Sequence, residues 1–243
     1  GSVLMKITCI ASGSKGNAYL INDGVSTLLV ECGVKLDMIK KATNYKLSGL
    51  AGCLISHEHN DHAKCYKDLL LRGIRIFASK GTLEGIGIYG QRGTFALDTN
   101  ITAETTVKTF SIRAFKVHHD AKEPTGFLIH SNETNENLLF ITDSYYCDYS
   151  FKNLDYIMIE CNYISERLEH QLNNPNRNPF VDTHIKRLMR SHMNLNTCID
   201  FLKSCELYRT KEIMLLHLSD ANADEEFMKS EVQKATGKIV RVF

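Results

Sequence analysis

The chain has 243 residues, of which 43% are hydrophobic and 23% charged, an ordinary globular balance that excludes disordered and collagen-like chains. At this length about 70–75% of the unfolded surface can be buried, enough for a sizeable core without staples. Lys and Arg number 29 against 28 Asp and Glu, a net +1, so no overall positive field advertises a nucleic-acid partner, although bound divalent cations would add local charge.

In chain order, Lys6–Ile10 reads as a strand followed by a Gly/Ser loop over Ser12–Asn17. Ala18–Asn22 and Ser26–Val30 flank Asp23-Gly24, a hairpin signal that predicts a type I′ turn with positive φ at both central residues. Val34–Ala42 has helical spacing, Gly52–Ile55 is a short buried strand, and Ala63–Arg72 is a helix closed by Gly73 in the left-handed position. Ile74–Ala78 returns as a strand. The middle third is strand-rich, with Thr106–Val117, Phe127–His130, Leu138–Thr142 and Tyr156–Glu160. The last third is helical over Thr183–Arg190, Asn196–Leu207 and Asp224–Ala235, with strands at Ile213–Leu216 and Lys238–Phe243. Strands and helices mix in both halves, which predicts one α/β domain of two sheets covered by helices over 1–243.

No apolar run approaches the roughly 18 residues of a membrane span, and the N-terminus lacks the charged-then-apolar pattern of a signal peptide. Gly1-Ser2 has the look of a cloning scar and Met5 of a native start, so residues 1–4 are expected to be a tag remnant or a disordered start. The eight cysteines form no C-x-x-C pair, and several fall in apolar runs such as Ile7-Thr8-Cys9-Ile10. They read as reduced core thiols of a cytoplasmic protein.

The chemistry concentrates in Ser56-His57-Glu58-His59-Asn60-Asp61-His62, directly after a short apolar strand. Three imidazoles and up to two carboxylates in six residues cannot all face a core, and together they suit Zn²⁺, Mn²⁺ or Fe²⁺. His57 and His59 fall on one side of an extended turn, while Asp61 and His62 open the next helix and can face a second metal.

H-x-H-x-D-H after a strand resembles the signature of the metallo-β-lactamase superfamily, and the resemblance continues from about residue 5 to the C-terminus. It implies a four-layer αββα sandwich, two mixed β-sheets flanked by helices. It also implies two divalent metal ions, Zn or Mn, the first held by His57, His59 and His119, the second by Asp61, His62 and His217, with Asp143 bridging. His119 is preferred because it precedes Glu123-Pro124-Thr125-Gly126-Phe127 at the family's distance; His118 is the competing candidate. A metal-bridged hydroxide would be the nucleophile, and two ions can clamp both attacking and leaving oxygens of a phosphodiester.

Ala11-Ser12-Gly13-Ser14-Lys15-Gly16-Asn17, His119-Asp120-Ala121, Glu160-Cys161-Asn162 and Leu216-His217-Leu218-Ser219 resemble the YycJ/WalJ exonuclease-like group, near tRNase Z. In tRNase Z relatives a further His, held by a Glu, protonates the leaving oxygen; His192 and Glu160 occupy those places, joining Asp61 as catalytic candidates. The implied activity is a dinuclear metal-dependent phosphodiesterase, a DNA or RNA nuclease with nucleic acid or nucleotide as substrate. Hydrolysis of cyclic nucleotides, as in phage immune evasion, is the alternative enzyme reading. A non-catalytic, metal-stabilised binding protein is the alternative of another class. No membrane partner is implied, and a homodimer follows from the resemblance alone.

The remaining features read as structural. The Gly13–Gly16 loop lacks P-loop spacing and reads as a tight turn. Lys186, Arg187 and Arg190 read as a solvated helix face or a grip on phosphate. His130, His170 and His184 read as surface or satisfied polar groups, and Tyr145, Tyr146 and Tyr149 as domain packing.

Overall fold

The structure, a computed structural model, describes residues 3–216 and 225–243. Its elements in order are β1 (Lys6–Ala11), β2 (Ala18–Asn22), β3 (Thr27–Val30), α1 (Leu36–Ala42), β4 (Leu50–Leu54), α2 (Asn60–Ala63), α3 (Tyr66–Leu71), β5 (Ile76–Ser79), α4 (Lys80–Ile86) and β6 (Thr94–Leu97). There follow β7 (Thr105–Val107), β8 (Phe110–Lys116), β9 (Thr125–Ser131), β10 (Glu136–Ile141), β11 (Tyr156–Glu160), α5 (Ser165–Leu172), α6 (Pro179–Ser191), α7 (Leu195–Ser204), β12 (Glu212–Leu216), α8 (Glu225–Thr236) and β13 (Ile239–Val242).

Two mixed sheets carry the fold, flanked by helices. One runs β1-β2-β3-β4-β5-β6 and the other β13-β12-β11-β10-β9-β8-β7. In the first, β1, β2 and β3 pair antiparallel, then β3, β4, β5 and β6 run parallel. In the second, β7, β8 and β9 are antiparallel and β11, β12 and β13 parallel. The chain packs as two compact units: residues up to Lys116 with Ala121–Leu138, and Val117–Asp120 with Leu139–Phe243.

In the first unit the inner parallel strands β4 and β5 are buried at every residue and almost wholly apolar, as strands covered on both faces require. Leu29, Cys53, Ile55, Ile76 and Ala78 form one core with Ile39 of α1 and Leu69 of α3. In the second, every residue of β11 is buried, α8 packs on α7 and β13, and Ile185 and Leu188 of α6 close a smaller cluster with Tyr163 and Leu168.

Several sequence expectations are corrected. The Asp23-Gly24 turn is not type I′: only Gly24 has positive φ, at 92°. Asp23 instead accepts from the amides of Val25 and Ser26 at 3.0 and 2.8 Å and from the hydroxyls of Thr109 and Ser131 at 2.6 and 2.9 Å. The helix expected over Ala63–Arg72 breaks into α2 and α3 because the Cys65 amide bonds to the Cys32 carbonyl, 3.0 Å away, and so leaves the helical ladder. The strand expected over Thr106–Val117 is a hairpin of β7 and β8, turning at Lys108 with φ 55°. Helices α4 and α5 and strand β6 lie where no element was expected. The first is capped by Ser79 Oγ, which accepts from the Thr82 amide at 3.1 Å, and by left-handed Gly87.

Candidate metal centre

In the first unit, β3 and β4 run parallel with Val30 opposite Leu54, so the chain leaves both strands at the same edge. Ligand sites form at such carboxyl ends of parallel strands. Glu31 follows β3 and Ser56-His57 follows β4; the Glu31 amide donates to the Leu54 carbonyl at 2.8 Å.

Glu31 is fully buried and organises the motif. It accepts from the Ser56 amide at 2.7 Å and the Ser56 hydroxyl at 2.8 Å, and its Oε2 accepts from Nδ1 of His62. With its hydroxyl proton directed to Glu31, Ser56 Oγ accepts from Nδ1 of His57 at 2.9 Å. Because a carboxylate can only accept, the His62 proton sits on Nδ1, and the serine relay places that of His57 likewise. Nε2 is then the atom each ring presents for coordination, the arrangement by which outer carboxylates orient metal-binding histidines. The His57 ring centroid lies 4.6 Å from that of His59 and 4.2 Å from that of His62. Asp61 Oδ2 is 3.3 Å from His62 Nε2.

The Gly/Ser loop holds the same residues from behind. The Asn17 amide donates to the Asp61 carbonyl at 2.8 Å, and its side chain donates to that carbonyl at 3.1 Å and to Gly13 O at 2.9 Å. Gly33 donates to Asn17 O, and a Cβ there would stand 1.7 Å from Asp61 O, so only glycine fits. Glu31, Asn17 and Gly33 were missed as site residues. A lone carboxylate and a glycine closing the apolar run Leu28-Leu29-Val30-Glu31-Cys32-Gly33 were the available signal.

The second unit gathers His119, Asp143, Glu160 and His192. Glu160 ends β11, and Asp143 follows β10 in the left-handed region at φ 40°. Glu31, at φ 65°, shares that unusual conformation; such backbone costs of order 1–3 kcal/mol and clusters at functional sites. The Ser144 amide donates to Glu160 at 2.9 Å. Nδ1 of His192 donates to the other Glu160 oxygen and lies 3.5 Å from Asp143 Oδ1. The chain around His192 is pinned beside the exit of β11 by the Asn162 amide to Met193 O at 2.9 Å and the Leu195 amide to Tyr163 O at 2.9 Å.

His119 Nδ1 donates to the Ser191 carbonyl at 2.9 Å, which again presents Nε2, found 3.7 Å from Asp143 Oδ2. His118 is engaged elsewhere. It is paired with Asp148 at 2.7 Å and lies against Tyr145 and Tyr146. Those two tyrosines are about half exposed and do not pack the domain as expected. His217 lies outside the described residues; Leu216, just before it, pairs with Glu160. His130 is hydrogen-bonded to Asn137 at 2.8 Å, and His170 and His184 are exposed.

Within 4.8 Å of one another lie donor atoms of Glu31, His57 and His62 in one unit, and of Asp143, Glu160 and His192 in the other. Oriented imidazoles beside carboxylates suit a divalent transition ion. The model of the beta-lactamase superfamily domain matches residues 26–218. The chain belongs to the beta-lactamase superfamily. Within this superfamily it is 27% identical over 203 residues to exodeoxyribonuclease YycJ of Bacillus anthracis, covering 76% of this chain and 66% of that one. It is 26% identical over 247 residues to exodeoxyribonuclease WalJ of Streptococcus pneumoniae, covering 91% and 84%. The metallo-beta-lactamase fold protein YhfI from Bacillus subtilis superposes with a TM-score of 0.74 at 20% identity, over 99% of this chain and 97% of that one. The resemblance to the YycJ/WalJ group therefore holds, and superfamily and donor sets together point to divalent metal binding.

Proposed function

We propose that this chain is a metal-dependent phosphodiesterase that degrades nucleic acid. The carrying observation is the His192–Glu160 pair beside Asp143. Breaking a P–O bond leaves an alkoxide that must be protonated, and an imidazole held by a buried carboxylate suits that task. Glu160 fixes the proton on His192 Nδ1, so Nε2 is the nitrogen that delivers the second proton to the leaving oxygen. The names of the YycJ and WalJ relatives, both exodeoxyribonucleases, support a polynucleotide substrate.

His57, His59 and His119 are assigned to one ion and Asp61, His62 and His217 to a second, with Asp143 shared, following the resemblance. Zn²⁺ or Mn²⁺ bound there would supply Lewis-acid charge for the phosphoryl oxygens and the attacking water. The fit rests on the tautomers: Glu31, Ser56 and the Ser191 carbonyl take up Nδ1 of His62, His57 and His119 and direct Nε2 to coordination. Asp61, anchored through its backbone by Asn17, orients water as well as serving as a ligand.

His192→Ala tests the reading. Turnover should fall by about 10²–10⁴ while bound metal, measured by elemental analysis, stays constant. Loss of metal together with activity would make His192 a ligand, and undiminished turnover would remove the proposed acid altogether.

A further inference from the structure

Helix α6 carries a feature that the proposed chemistry leaves unused. Its 13 residues bury Ile185 and Leu188 against Tyr163 and Leu168. On the opposite side, Thr183, Lys186, Arg187 and Arg190 recur at the i, i+3, i+4, i+7 spacing of a single face. These four residues, with Asp120 and Ser191, line a cavity of about 430 Å³, within the range of ligand sites.

Three properties set this face apart from an ordinary solvated one. Among the described residues, no carboxylate lies within ion-pair distance of Lys186, Arg187 or Arg190, whereas Asp182 on the same helix is held by Arg177 at 2.9 Å. Only Arg190 falls in the last helical turn, so the helix dipole, whose influence fades within that turn, does not account for Lys186 and Arg187. Finally, Ser191, which lines the cavity, also accepts from His119 at 2.9 Å, and His192 is the next residue. The cations therefore stand beside the proposed proton donor, concentrated there on a chain whose net charge is only +1.

From this geometry we infer that the α6 cavity is a phosphate-backbone subsite, gripping internucleotide phosphates of a single strand next to the linkage being cleaved. The inference rests on the phosphodiesterase reading and sharpens it. Three cations against the single carboxylate of Asp120 match a run of phosphates, whereas a compact cyclic nucleotide has too few charges to engage them while also occupying the chemistry. The site thus selects polymer over small diester.

The test uses the full chain with Lys186, Arg187 and Arg190 all changed to Gln, beside a control in which the exposed Lys46, Lys108 and Lys152 are changed to Gln. Anisotropy of a labelled single-stranded octanucleotide is measured from 50 to 300 mM salt, together with the ratio of kcat/KM for octanucleotide to that for dinucleotide. The α6 variant should weaken octanucleotide binding by about 10–100-fold and lower the salt slope by about 2, at roughly 0.7 per phosphate contact. Its length preference should collapse toward one, while the control behaves as wild type. Equal weakening in both triple variants, or an unchanged slope and length preference in the α6 variant, would overturn the subsite. A wild-type protein that binds octanucleotide through α6 but hydrolyses no diester would keep the subsite and reject the phosphodiesterase reading. Single Arg187→Gln and Arg187→Lys variants, the second retaining most of the affinity, guard against a misfolded triple variant.

Discussion

Glu31 offers the most direct test of how the motif is held. It and the His62 side chain are fully buried, and it satisfies three donors: the Ser56 amide, the Ser56 hydroxyl and His62 Nδ1. Glu31→Ala would strand all three at about 1–3 kcal/mol each; relaxation should bring the total near the roughly 3–5 kcal/mol typical of a broken buried pair. Glu31→Gln is the more informative change. Its carbonyl still accepts from the Ser56 amide, but its NH₂ faces His62 Nδ1, which must become an acceptor. The imidazole proton then moves to Nε2 and occupies the atom proposed to coordinate. Outer-sphere changes of this kind cost about 10–100-fold in metal affinity, or about 1.4–2.8 kcal/mol at roughly 1.4 per tenfold. Calorimetric titration of Mn²⁺ and Zn²⁺ into the metal-free variant measures that loss, and urea unfolding in chelator measures stability separately. A folded Glu31→Gln protein with wild-type metal affinity would refute the tautomer reasoning.

Two further substitutions probe the surroundings. Gly33→Ala places a methyl 1.7 Å from Asp61 O and 2.5 Å from the His62 amide; metal affinity should fall at least tenfold and stability by roughly 1–3 kcal/mol, and unfolding plus metal titration would expose an unaffected site. For Asp23, burial opposes ionisation, but the hydrogen bonds from Ser26, Thr109, Val25 and Ser131 outweigh it and hold the carboxyl below its ordinary 3.8. The folded pKa being the lower, this stabilisation is complete above 3.8 and drains away as pH falls through the folded value. Asp23→Asn should therefore be less stable at pH 7, with a deficit that shrinks below pH 3.8; chemical denaturation across pH 2.5–7 checks it, and a constant deficit would contradict the assignment.

The candidate ligands of the His57–His62 motif were legible because their chemistry is local. Three histidines and an aspartate in six residues announce themselves in any register, whereas Asp143, Glu160 and His192 became candidates only through the family resemblance. The residues that support them were not legible, because their roles arise from pairing between distant segments. Glu31 matters only because β3 and β4 run parallel and end together, and Gly33 only because Asp61 returns within van der Waals distance of it. Asn17 looked like the end of a turn, and its grip on the Asp61 carbonyl depends on tertiary packing. The missed helix α4 has little apolar periodicity and is fixed by its Ser79 and Gly87 caps, while the β7–β8 turn at Lys108-Thr109 uses residues that carry no turn signal. His118 and His119 were neighbours with equal chemistry; the Ser191 carbonyl and Asp148 separate their fates.

The central claim is best tested by hydrolysis. Protein loaded with Mn²⁺ or Zn²⁺ is incubated with 5′-labelled linear DNA and RNA beside a panel of cyclic nucleotides, with Asp61→Ala as the control. Progressive loss of polymer that vanishes in the control is the expected result. Cleavage confined to cyclic nucleotides, or no turnover of any phosphodiester at full metal occupancy, would contradict it.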